Sequence, residues 1–200
     1  MDRVRYVLGV FAVVVYAPGL VFWFVIHPWA RWWRTIGPTR TYLIVGPLLA
    51  ALGVLLLPFR RSLLGSDLGT NWSLVAAGLV LCGFVAWLGL VYGRRMNHLK
   101  MTTRMGVPEL SPSNEPNTLV RDGIYGLVRH PVYISAAAWG IGYAFIVNYA
   151  SVYILFLAAL PVLYVITVLE ERELLDRFGD EYREYQRTVP RLIPRWRKMD

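Results

Sequence analysis

Two short stretches hold the residues of this sequence that could do chemistry: GIYGLVRHPVY at 123–133 and EERE at 170–173. In the first, Arg129 and His130 precede Pro131, with Gly123, Tyr125, Gly126 and Tyr133 around them. Proline suits the first position of a helix, where its missing N–H removes no bond and its φ is already helical. A helix starting there points unpaired N–H groups at whatever lies before it, which favours a carboxylate or another anion. Glycines let a ligand approach the backbone, and tyrosines offer a ring face and a hydroxyl. In the second stretch, Glu170, Glu171 and Glu173 supply acceptors and negative charge directly after an apolar run. If the two stretches meet, they match a ligand with one anionic and one cationic end. Each piece also has a plain structural reading: a helix start, Arg129 on lipid phosphate, interfacial tyrosines, and acids that end an apolar segment beside Arg172 and Arg177.

The elements that must bring them together are membrane helices. The chain is 56% hydrophobic, 17% charged and 14% aromatic, with a mean hydropathy of +0.44. Several apolar runs approach the ~20 residues that cross a bilayer. An all-α integral membrane protein with about five transmembrane helices is expected, with spans at 6–26, 42–59, 72–92, 132–147 and 151–169. The first run follows Arg3 and Arg5 and leaves through Trp23, Phe24, His27, Pro28 and Trp29 without a small-residue cleavage pattern, so it reads as a retained span. Pro18 and Gly19 mark a kink, and WARWWRTIGPTR reads as a basic, tryptophan-rich loop. Residues 93–122 are polar and turn-rich, a length typical of functional loops. Asn148 and Tyr149 join the last two spans into a tight hairpin. The tail has Leu174, Leu175 and Phe178 at helical spacing, with Gly179 as a helix stop. The chain thus divides into transmembrane helices at 1–92 and a catalytic region at 93–200.

Charge sets the expected orientation. Of the 21 Lys and Arg, four fall on the side of the N-terminus and seventeen on the side of the first loop, long loop and tail. The positive-inside rule then places the N-terminus outside and the C-terminus in the cytoplasm, in a prokaryotic inner membrane. Both ends of the 132–169 hairpin emerge on that cytoplasmic face, so RHP and EERE can share one site. A charge at the bilayer centre costs about 2.5–3.5 kcal/mol on insertion scales, and less at the interface. Acids are nevertheless unusual where basic residues normally anchor a cytoplasmic end. Adjacent glutamates point about 100° apart on a helix, so one can face inward. The net charge of +8 fits anionic membrane lipids as partners, and no nucleic acid is expected. Cys82 is the only cysteine, and His27, His98 and His130 are scattered, so no metal is expected. No GxGxxG and no Ser-His-Asp pattern is present. S-adenosylmethionine fits the combination: it carries a carboxylate, an amine, a positive sulfonium and ribose hydroxyls that want an acidic acceptor.

Residues 117–194 resemble the isoprenylcysteine carboxyl methyltransferase family and its phospholipid methyltransferase relatives, through LVRDGIYGLVRHPVY and, one hairpin later, EERELLDRFGDEYREYQRTVPRLIP. The N-terminal half is similar only in being transmembrane. The resemblance implies an S-adenosylmethionine pocket formed by Asn117, Thr118, Leu119, Val120, Tyr125, His130, Pro131, Val132, Tyr133 and Glu170. Asn117 stands where the family often has histidine. Glu170, Glu171 and Arg129 are the implied catalytic candidates. The implied reaction methylates an amphiphilic acceptor entering from the bilayer at the cytoplasmic interface, as carboxyl O-methylation of an isoprenylcysteine-type substrate or a related amphiphile. Phospholipid N-methylation is the alternative, and an NADPH-dependent sterol-type reductase is a more distant one. Ile166 stands where the eukaryotic prenylcysteine enzymes have an arginine linked to the substrate carboxylate, so the prenylcysteine acceptor does not follow from the motifs. A carboxylate acceptor needs no general base, whereas an amine would need Glu170, Glu171 or His130.

Overall fold

Pro18 has no N–H to donate to the carbonyl four residues back, and the first membrane segment widens ahead of it. In the computed structural model, which describes residues 1–95 and 119–194, α1 (Asp2–Phe11) passes into a π-helical turn at Ala12–Tyr16. There Ala17 N–H bonds to Ala12 O, and α2 (Ala17–Ile26) continues the segment. The kink expected at Pro18 is absorbed as a π-bulge.

The WARWWRTIGPTR segment is helical, not the loop expected of it. It opens α3 (Ala30–Leu56), interrupted only at Gly37, whose φ of 79° and ψ of 163° break the helical path. Trp33 provides the reason. Its ring is buried against Ile26 and Val45, and its Nε1 donates to Val25 O at 3.2 Å, so packing orders a stretch that charge alone would leave in solvent. Thr41 Oγ1 then donates to Gly37 O at 2.9 Å as the helix resumes. A short helix, α4 (Arg60–Leu64), follows. Asn71 starts α5 (Trp72–Arg95), its Oδ1 accepting from the N–H groups of Ser73 and Leu74.

The hairpin forms where expected. Pro131 opens α6 (Pro131–Val147), Asn148 closes it in the left-handed conformation at φ 50°, and α7 (Ala150–Phe178) returns. Among the described residues, four helices are long and apolar enough to cross a membrane: Asp2–Phe22, Thr39–Leu64, Trp72–Tyr92 and Ala150–Phe178. The fifth expected span, α6, has 17 residues and so reaches only about 25 Å. The protein is an all-α, multi-pass membrane protein. α7 runs past residue 169, because nothing in EERELLDRF breaks a helix before Gly179 at φ 56°. That glycine reverses the chain into α8 (Asp180–Thr188).

Close helix contact ties the two parts of the chain together. A Cβ on Gly142 of α6 would meet Cys82 Sγ of α5 at 2.7 Å, and one on Gly78 would strike Gly142 O. At the hairpin turn, Arg5 is wholly buried rather than a flanking charge. Its Nε donates to Val147 O at 2.9 Å and its Nη2 to Asn148 O at 3.2 Å, while Asp2 and Asp67 pair with it. A cation at the end of α6 satisfies carbonyls that the helix leaves open and faces the negative end of its dipole.

Candidate functional site

At the other end of the hairpin, the start of α6, the end of α7 and the returning tail converge on one carboxylate. Glu171 is 3% exposed. Arg129 grips it by Nε at 2.9 Å and Nη2 at 2.7 Å, both on Oε1. Arg191 binds both oxygens, by Nε on Oε1 at 3.1 Å and by Nη2 on Oε2 at 2.6 Å. Gln186 Nε2 donates to Oε2 at 3.0 Å, and His130 Nε2 lies 3.1 Å from Oε1. Two guanidinium groups, an amide and an imidazole therefore fill the acceptor positions of a single side chain. Bidentate charged contacts of this kind are the strong ones, and they are viable in a buried place because every member is paired.

The backbone follows the same junction. Arg129 N–H bonds to Pro190 O at 2.9 Å and His130 N–H to Arg191 O at 3.1 Å, so the tail lies directly along RHP. Arg129 Nη1 also donates to Gln186 O and Val189 O. Arg191 Nη1 reaches Tyr164 OH on α7 at 3.0 Å, with its guanidinium over that ring. Tyr182, Tyr185 and Val189 seat α8 against Leu119, Leu174, Leu175 and Phe178, and Tyr185 OH donates to Tyr125 O at 2.7 Å.

His130 sits between two acids. Its Nδ1 is 3.2 Å from Glu170 Oε2 and its Nε2 faces Glu171, while Tyr133 packs edge-on against the ring. Burial opposes the charged ring, but the carboxylates of Glu170 and Glu171 outweigh it and hold the imidazole above its ordinary value. Glu170 differs from its neighbour. Its Oε2 is buried, yet no aligned hydrogen-bond donor meets it among the described residues. The adjacent glutamates thus separate as their helical angle predicts: Glu171 turns into the junction, and Glu170 keeps an acceptor in reserve. A buried acceptor in reserve is what a ligand's hydroxyl or amine would fill.

The structure brings together Arg129, His130, Pro131, Glu170 and Glu171, with Tyr125, Tyr133 and Leu119 in the same shell. Val132, beside them at the start of α6, is 57% exposed. Leu119 and Val120 lie just before the short 3₁₀ turn Gly123–Gly126, whereas Asn117 and Thr118 lie outside the described residues. Among the described residues, no group of three His, Cys, Asp or Glu is placed to hold a metal ion. Gln186 and Arg191 were not expected in the site. Their signal was weak, because a charged tail at helical spacing reads as a solvated helix until the turn at Gly179 folds it back. Deeper between α6 and α7 is a cavity of about 320 Å³ lined by Tyr16, Ala136, Ala144, Phe156, Leu160 and Leu163, among others. Ile166 is fully buried.

Residues 73–181, more than half of the chain, match a family described as phospholipid methyltransferase. The chain is 33% identical over 136 residues to methanethiol S-methyltransferase 1 of Bradyrhizobium diazoefficiens, covering 62% of this chain and 44% of that protein. It is 35% identical over 85 residues to the protein-S-isoprenylcysteine O-methyltransferase of Schizosaccharomyces pombe, covering 42% and 36%. To the protein of the same name in Rattus norvegicus it is 30% identical over 134 residues, covering 60% and 41%. The matched regions span less than half the length of these relatives. No solved structure matches the chain.

Proposed function

This chain belongs to the phospholipid methyltransferase family, and on that premise we propose that it transfers a methyl group from S-adenosylmethionine to an amphiphilic acceptor at the membrane interface. The observation that carries the reading is the pairing of His130 with Glu170 at the mouth of the α6–α7 hairpin, where the buried Glu170 Oε2 meets the His130 ring at 3.2 Å but has no aligned hydrogen bond of its own. The residues fit the cofactor. Glu170 would accept from its hydroxyl or amine, the first turn of α6 would face its carboxylate, and Tyr125 and Tyr133 would flank it. Bound there, S-adenosylmethionine supplies an electrophilic methyl group.

The chain's own part is positioning two reactants that prefer different phases. Glu171 does this indirectly: it locks Arg129, His130 and the tail, and so fixes the floor on which Glu170 stands. The apolar cavity between α6 and α7 suits the hydrocarbon part of the acceptor, which would enter laterally from the bilayer. Around it, apolar walls exclude water and strengthen the contacts made by Glu170 and His130.

The proton inventory favours an acceptor that is already an anion. Glu171 is engaged by four side chains, and the carboxylates beside His130 raise its pKa and so weaken it as a base, which leaves only Glu170, itself paired with His130, to serve an amine. A carboxylate acceptor, of the isoprenylcysteine type or a related amphiphile, or a thiolate, needs none. The charge asymmetry of the loops supports placing this site on the cytoplasmic face.

Calorimetric titration of the detergent-purified protein with S-adenosylmethionine tests the reading. Binding is expected, and Glu170→Ala should weaken it. No binding by the wild type, or a Glu170→Ala variant that binds equally well, overturns it. Native membranes given methyl-labelled cofactor and then mild base should release volatile label if the product is a methyl ester. Base-stable label would point instead to an N- or S-methyl product.

A further inference from the structure

Buried polar groups in folded proteins are almost always partnered, and an exception calls for a specific partner that the chain does not supply. Among the described residues two buried side-chain atoms make no aligned hydrogen bond: Tyr182 OH, and Glu170 Oε2, whose neighbour is the His130 ring at 3.2 Å. They come from different helices, α7 and α8, and belong to the same junction. Tyr182 is 1% exposed and packs edge-on against Tyr185, with ring centroids 5.8 Å apart. It shares its cluster with Leu119, at the end of the strip expected to line the cofactor pocket. Three other buried or half-buried tyrosines of the fold use their hydroxyls: Tyr185 on Tyr125 O, Tyr143 on Leu8 O at 2.7 Å, and Tyr153 on Asn148 Oδ1 at 2.9 Å. Tyr182 does not.

We infer that the Tyr182 hydroxyl is a ligand-binding group of the candidate site, donating to a ribose hydroxyl of the cofactor that in turn donates to Glu170. This rests on the cofactor reading above and adds a contact from α8. The chemistry is complementary. A carboxylate only accepts, a phenol can donate, and a sugar hydroxyl placed between them satisfies both. Burial, reinforced by the negative charges of Glu171 and Glu170 and opposed by Arg129, pushes the phenol far above its ordinary range, so it remains a donor at any working pH. The same contact makes α8 part of the binding site rather than only its brace.

The test is Tyr182→Phe, which removes one oxygen from a packed ring. In detergent, the thermal midpoint of the ligand-free variant should equal that of the wild type, because no bond within the protein is lost. Its affinity for S-adenosylhomocysteine, by calorimetry, should fall about three- to tenfold, the size of one neutral hydrogen bond. Against an analogue lacking both ribose hydroxyls, wild type and variant should bind alike. Equal affinity for the complete ligand overturns the inference. So does a lower ligand-free midpoint, or a deficit that persists with the ribose-modified analogue. Absence of binding by the wild type itself would instead remove the cofactor reading and this contact with it.

Discussion

Glu171 Oε2 and Arg191 Nη2 lie 2.6 Å apart although 20 residues and a chain reversal separate them. The contact closes the tail over the helix start at Pro131, and it does so on a carboxylate that also balances Arg129 and His130. Removing that carboxylate leaves buried cations without a counter-charge. Glu171→Ala should therefore lower stability by about 3–5 kcal/mol, the usual penalty for breaking a buried pair from one side. Thermal unfolding in detergent checks this, and Glu171→Gln should fall between the variant and the wild type.

Glu170 should show the opposite profile. It is partly exposed, and its buried oxygen gives up no aligned hydrogen bond when changed. Glu170→Gln is expected to lower the unfolding midpoint less than Glu171→Gln, since only its share of the His130 pair is lost, and to weaken S-adenosylmethionine binding roughly tenfold, about 1.4 kcal/mol. Calorimetry and thermal melts on one preparation separate the two effects. Equal loss in both measurements would make Glu170 a structural residue like its neighbour.

His130 gives a pH signature with a defined sign. Its folded-state value is raised above the ordinary one, so its contribution to stability is complete below about pH 6.5 and is lost as pH rises through the raised value. The groups facing it are Glu170, Glu171 and Tyr133, with Arg129 on the shared carboxylate. The midpoint difference between wild type and His130→Asn should be largest at mildly acidic pH and shrink toward alkaline pH. A constant difference from pH 5 to 9 would contradict the pairing.

Much of this arrangement was legible in the residues. Proline before an apolar run fixed the start of α6, Asn148 marked the turn, and the 100° offset of Glu170 and Glu171 anticipated their different environments. What escaped reading depends on contacts distant in sequence. Gln186 and Arg191 reach Glu171 only because Gly179 takes a positive φ and turns α8 back along α7. Trp33 orders a basic segment by packing on Ile26 and Val45, which no local charge pattern announces. Arg5 looked like an orientation signal at the head of a span, but apart from Asp2 its side-chain partners lie 62 to 144 positions away.

That last residue carries a prediction confined to the opposite end of the hairpin. Arg5 spends its guanidinium on Val147 O, Asn148 O, Thr70 Oγ1, Asp2 and Asp67, and its cation lies over the Tyr149 ring. Alanine there strips donors from two carbonyls at the end of α6 and leaves Asp67 without its cationic partner, so about 2–4 kcal/mol of stability should be lost. Lysine should restore little of it, because one ammonium cannot reproduce a planar fork that addresses helix end and loop together. The ligand site lies beyond the full length of α6, about 25 Å away. Arg5→Ala should accordingly lower the unfolding midpoint while leaving S-adenosylmethionine affinity unchanged in the protein that remains folded. If affinity falls along with stability, the Arg5 clasp and the Glu171 junction form one cooperative unit, and the hairpin transmits strain between its ends.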